Sequence, residues 1–142
     1  MRHRRAALGR SRERAAPARR PIDRGSATVQ IVVLMPALFL LMFAGMQAAL
    51  IYHARTVAIA AAQEGARTAA AQYSSAGAGD VAAEQFVASA GGEDVLRGVT
   101  VTATRDATTA SVVVTGATMS VVPGWTPQIT QSASAPVERV TR

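Results

Sequence analysis

The sequence predicts an α+β protein held in a membrane: one long N-terminal helix, then a small domain with one short helix and an antiparallel sheet of three to four strands. Three observations carry that prediction. Residues 31–46 (IVVLMPALFLLMFAGM) are apolar, and no Asp, Glu or Arg occurs from Ser26 to Ala54. The alanine-rich stretch from Gln47 to Gln72 that follows contains no proline. Beyond Gly92 the apolar period shortens from that of a helix to two, the period of a strand.

Residues 1–25 form a basic leader. Nine arginines there face only Glu13 and Asp23, a net charge of +7, whereas the whole chain of 142 residues carries +6. Basicity therefore belongs to the tail and says nothing about a basic binding face on the rest of the chain. Roughly 20 apolar residues cross a bilayer as a helix, so residues 26–53 read as a transmembrane segment. Arginines crowd its N-terminal flank, which places the N-terminus in the cytoplasm and the C-terminus outside. A cleavable secretory signal and a buried core helix are the competing readings. The apolar run is longer than the roughly 7–15 residues of a signal peptide, which favours an anchor. Arg19-Arg20 is followed by Pro21 and Asp23, where a twin-arginine signal needs apolar residues.

Residues 54–73 are expected to continue the helix outside the membrane, because alanine is the best helix former. His53, Thr56, Gln63, Glu64 and Arg67 fall on one arc, with Glu64 and Arg67 at i, i+3. The remaining surface is small and apolar. Ala54, Ala58 and Ala62 repeat at i+4, as do Ala61, Gly65 and Ala69, and such rows let helix backbones approach closely. Gly65 weakens a helix and so asks for a packing reason, although helicity alone also accounts for an alanine-rich stretch. Pro36 removes a backbone hydrogen bond and predicts a kink or softened turn.

Residues 74–142 are expected to form a small outer domain. Residues 74–79 (SSAGAG) read as a flexible break, and residues 80–90 as a helix capped by Asp80 and stopped by Gly91-Gly92. Val99, Val101 and Ala103 alternate with threonines, residues 111–114 and 117–122 read as strands, and residues 129–135 add a last one. Prolines and Gly124 bracket Trp125 in a loop.

The chain lacks whole classes of chemistry. It has no cysteine, hence neither a disulfide nor a thiolate metal site, and all fifteen basic residues are arginine, which excludes a P-loop lysine or a Schiff base. The histidines are His3 and His53, so no Ser-His-Asp set or histidine metal cluster can form in the outer domain. Asp80, Glu84, Glu93, Asp94 and Asp106 lack metal-loop spacing and read as caps and turns. Gly91-Gly92-Glu93-Asp94 shares four letters with a nucleotide-cyclase signature, without the domain that signature needs. No catalytic residue, metal or cofactor is expected. The arginine tail has the charge to bind nucleic acid or anionic lipid, and orienting the chain in lipid is the more economical role.

Basic tail, glycine, apolar span and alanine-rich extension together resemble the type IV pilin plan, and specifically the TadE-like pseudopilins of tight-adherence (Flp) pilus systems. Arg24-Gly25-Ser26-Ala27-Thr28-Val29 is similar to that family's processing site. The resemblance implies cleavage by prepilin peptidase after Gly25, with Ser26 as the first mature residue. Pro36 then falls eleventh, where the family often carries proline. Tyr52-His53-Ala54-Arg55 and residues 61–67 (AAQEGAR) resemble the juxtamembrane segment of actinobacterial members, and Pro136-Val137-Glu138-Arg139 resembles their ending. The fifth mature position departs: pilins usually place glutamate there, to pair with a neighbouring subunit's amine, and this chain has Gln30. Glutamine keeps the hydrogen bonding but not the charge.

The resemblance implies a structural minor pseudopilin in pilus assembly, meeting lipid, prepilin peptidase, and other pilin subunits and tight-adherence assembly proteins. Helix contacts would come from Pro36, Ala44, Gly45, Ala48 and Ala49 in the span, continued by the rows at Ala54, Ala58, Ala61, Gly65 and Ala69. The alternative is an uncleaved single-pass envelope anchor whose outer domain binds a secreted or cell-wall partner.

Overall fold

The computed structural model describes residues 24–138, with side chains from Thr28 onward; residues 1–23 of the leader and residues 139–142, Arg139 of the family-like ending among them, lie outside the described residues. The chain divides into two units between Met35 and Pro36. The first contains the start of the long helix α1, Arg24–Ala70, and the second contains everything after it. The helix continues past Pro36, although proline has no N–H to donate to the preceding turn.

Helix α1 ends three residues before the expected Tyr73. Its last carbonyls find partners outside the helix: Arg105 donates through Nη1 to Ala69 O and, at 3.0 Å, to Ala71 O, and Glu138 N donates to Ala70 O at 3.0 Å. These donors satisfy groups that a helix end leaves open, and a guanidinium there suits the negative end of the helix dipole. Tyr73 takes φ 62° and turns the chain away.

Helix α2 spans Ala76–Ser89 and starts earlier than the predicted residue 80. The cap is Ser75, whose Oγ accepts from Ala78 N at 3.2 Å, and not Asp80. Most of the expected flexible break is thus the first turn of a helix. Asp80 serves the sheet instead, its carboxylate accepting from Ala103 N at 2.6 Å. Gly91, at φ 120°, ends the helical path as expected, and a single 3-10 turn over Gly92–Asp94 leads to the sheet.

Three antiparallel strands follow: β1 (Arg97–Arg105), β2 (Thr109–Ala117) and β3 (Gln128–Pro136), in the order β1-β2-β3. Residues 117–122 do not form a separate strand as expected. Only Ala117 is in a strand, and the chain then leaves the sheet for reasons given below. Alternation sorts the two faces. Ala110, Val112, Val114 and Gly116 point inward from β2, aligned with Ala103 and Val101 on β1 and with Ala133 and Ala135 on β3. The outward rows are largely hydroxyl-bearing, with Thr102 and Ser132 flanking Val113.

The core lies between the inner face of the sheet and the two helices. Its bulk comes from Leu96, Val112, Val114 and Ile129, while α1 contributes mainly small residues: Ala54, Val57, Ala58, Ala61, Ala62 and Ala66. Burying each large side chain contributes about 1.5–3 kcal/mol, so the sheet supplies most of the apolar stabilisation and the alanines supply closeness.

Candidate membrane and assembly interface

The exposed surface of α1 changes character at one residue. From Val29 to Met46 every large apolar side chain stands free, Leu41 being 72% exposed. Gln47 is then buried, at 4% exposure. Nineteen residues, Thr28 to Met46, precede this change, close to the roughly 20 of a helical crossing. The apolar length and composition meet the requirements of a membrane span.

A buried amide is costly without partners. Gln47 has several, all from the chain that follows β2. Its Oε1 accepts from Val121 N at 2.8 Å and from Ser120 Oγ at 3.2 Å, and its Nε2 donates to Met119 O at 3.4 Å. Thr118, also buried, reaches Leu50 O through its hydroxyl at 3.4 Å. The chain after Ala117 therefore runs along α1 toward Met46 in place of extending the sheet. In the sequence Gln47 stands only as the start of the alanine-rich stretch. The available signal was a lone amide at the edge of an apolar run, which demands hydrogen-bond partners once buried.

The small-residue rows divide into two groups. Ala54, Ala58, Ala61, Gly65 and Ala69 are buried within this chain's own domain, whereas Ala44, Gly45 and Ala48 are exposed. Gly65 meets α2: a Cβ there would lie 2.7 Å from Gly79 O and 3.0 Å from Ala83 Cβ. At Gly45 a Cβ would meet nothing within 4 Å. Gln30 and Pro36 stand in the exposed run, and Gly25 and Ser26 fall at the start of α1.

The polar arc of α1 faces outward: His53, Thr56, Gln63 and Arg67 are exposed and Glu64 half-buried. Glu64 and Arg67 approach to 3.8 Å, a surface pair worth at most about 1 kcal/mol.

The carboxylates of the outer domain are tied to local backbone. Glu93 accepts from Gly98 N at 3.3 Å through each oxygen. Asp106 accepts from Thr108 N and Thr109 N at 2.7 Å each and from Thr108 Oγ1 at 3.0 Å. Those bonds, the backbone ones foremost, hold its pKa below the ordinary carboxylate value. Among the described residues no group of three or more His, Asp or Glu is placed to hold a metal ion. Glu84 and Glu93 line a surface hollow of about 240 Å³ with Val87, Leu96 and Val99.

Residues 25–67 match the model of the family described as TadE-like protein. The matched segment begins at Gly25 and ends at Arg67 on the polar arc. No curated protein and no solved structure matches the chain significantly.

Proposed function

Because the chain is a TadE-like protein of the tight-adherence (Flp) pilus system, we propose that it is a structural minor pseudopilin, cut after Gly25 and held in the cytoplasmic membrane by residues 28–46. A part in pilus assembly and a single-pass anchor follow from the family and the apolar helix. Cleavage, the orientation with the C-terminus outside, and the minor-subunit role are the finer reading.

The observation that carries this reading is the union of two features on one helix. The family match starts at Gly25, and the exposed run of large apolar side chains follows at once and is first interrupted by the buried Gln47. Ala44, Gly45 and Ala48 remain bare on that surface, and small residues let a second helix approach closely in lipid. We place the contacts with other pilin subunits there. The small residues from Ala54 to Ala69 are already covered inside the chain, so they contribute to assembly by shaping the domain. Gln30 would act in such contacts as a neutral hydrogen-bonding group. Prepilin peptidase and the tight-adherence assembly proteins are the partners this reading requires, and no reaction is assigned to the chain itself.

Intact mass of the protein extracted from membranes that contain an active prepilin peptidase tests the proposal. The expected chain starts at Ser26, and a bulky substitution at Gly25 leaves the leader attached. A chain that keeps its leader beside an active peptidase would replace this reading with that of an uncleaved envelope anchor.

A further inference from the structure

The chain that Gln47 holds continues into a tight turn. Val122 N donates to Ser120 Oγ at 3.0 Å, and Trp125 N donates to Val122 O at 3.3 Å, closing a four-residue turn around Pro123 and Gly124. Gly124 takes φ 77°, which with proline before it is the pattern of a type II turn. Such a turn brings its first and last residues together, here Val122 and Trp125, which are 44% and 49% exposed.

The course of the chain fixes which end of the domain carries this turn. Ala110 packs with Ala69 and Ala70, Thr118 reaches Leu50, and Val121 reaches Gln47. Numbers fall along α1 as they rise from β2 to Val121, and the chain then returns, Thr118 N donating to Pro127 O at 3.1 Å. The turn is thus the tip of a loop whose hydrogen bonds to α1 reach as far as Gln47, which adjoins the bare apolar residues 36–46. No charged residue occurs from Ala107 to Val137. A tryptophan and a valine on an uncharged turn, at the border of an apolar helix, have the chemistry of the lipid–water interface, where tryptophan rings are enriched.

We infer that the turn of residues 122–125 is a second, shallow membrane contact, in which Val122 and Trp125 rest in the headgroup region beside the span and Gln47 sets their depth. The inference rests on residues 28–46 being the span. Without charge on the turn, the contact is made with zwitterionic lipid and does not require an anionic headgroup.

Trp125 is the single tryptophan of the chain, so its emission reads the contact directly. The full chain is reconstituted in phosphatidylcholine vesicles containing lipids brominated either near the glycerol end or near the middle of the acyl chain. Emission of Trp125 is expected to be lost more with the shallow bromines than with the deep ones. Replacing Gln47 with alanine should remove much of that quenching, and unchanged quenching would overturn the role given to Gln47. A Phe39→Trp, Trp125→Phe double variant reports on the span and should be quenched most by the deep bromines. If that variant is quenched while wild-type emission is untouched by either lipid, the shallow contact is overturned and the span stands. If neither protein is quenched, the span reading falls as well. Wild-type emission shielded from iodide yet untouched by bromine would mean that protein covers the turn, which also overturns the inference.

Discussion

Gly65 on α1 and Gly79 on α2 each occupy the space that the other's side chain would need. A Cβ at Gly65 would stand 2.7 Å from Gly79 O, and one at Gly79 would stand 2.8 Å from Gly65 O and from Ala69 Cβ. The obstruction is backbone, which cannot rotate out of the way as a long side chain can.

Gly65→Ala is therefore expected to destabilise the outer domain by about 1–3 kcal/mol, the usual cost of overpacking, despite the gain in helix propensity. Denaturant unfolding of the full chain in detergent, followed by the far-ultraviolet signal, measures it. Gly45→Ala, on the open part of the same helix, should leave the midpoint unchanged or slightly raised.

Arg105 joins the end of β1 to the end of α1 through Ala69 O and Ala71 O. Arg105→Met keeps the aliphatic stem and removes both donors, so a loss of about 1.5–3 kcal/mol is expected, the range for hydrogen bonds to a charged group. Amide hydrogen exchange should show faster opening of the last turn of α1 in the variant. Uniform exchange with wild type would contradict the capping role.

Leu96 is fully buried and touches the site where Gly116 lacks a side chain, a Cβ there lying 2.6 Å from Leu96 Cγ. Leu96→Ala should cost about 2–5 kcal/mol through lost burial and a residual cavity. Thermal unfolding of the full chain checks this, with Val113→Ala on the outer face of the sheet as the mild comparison.

Asp106 predicts an acid dependence whose sign is fixed. Its folded pKa is lowered by the turn, so its contribution is present above the ordinary carboxylate value and is lost as pH falls through the lowered one. The difference in unfolding midpoint between wild type and Asp106→Asn should be constant near neutrality and shrink as pH falls below the ordinary carboxylate value of ~4. A difference that persists unchanged in acid would assign the turn's stability to something other than the charged carboxylate.

Much of this molecule could be read from the sequence because its strongest signals are long. The apolar run, the polar arc from His53 to Arg67 and the threonine-valine alternation of β1 each repeat often enough to outweigh a local exception. Two segments depart from their sequence signals where a distant contact overrides local preference. Residues 76–79 carry two glycines and look like a break, yet they form the first turn of α2, and position 79 is glycine because α1 crosses α2 too closely there for a side chain. Residues 118–122 look like a strand, but Gln47, some 70 positions earlier, takes their backbone groups. Gly65 stands out in the sequence by its cost to a helix, while the identity of what it packs against depends on the fold. The Gln47 clamp was invisible for the same reason.

The alanine stripe of α1 is covered by the chain's own sheet and second helix. On the proposed pilin reading, a seam already filled by the chain's own domain leaves a neighbouring helix only the small residues still bare on α1, Ala44, Gly45 and Ala48, and the outer domain would keep its fold on joining.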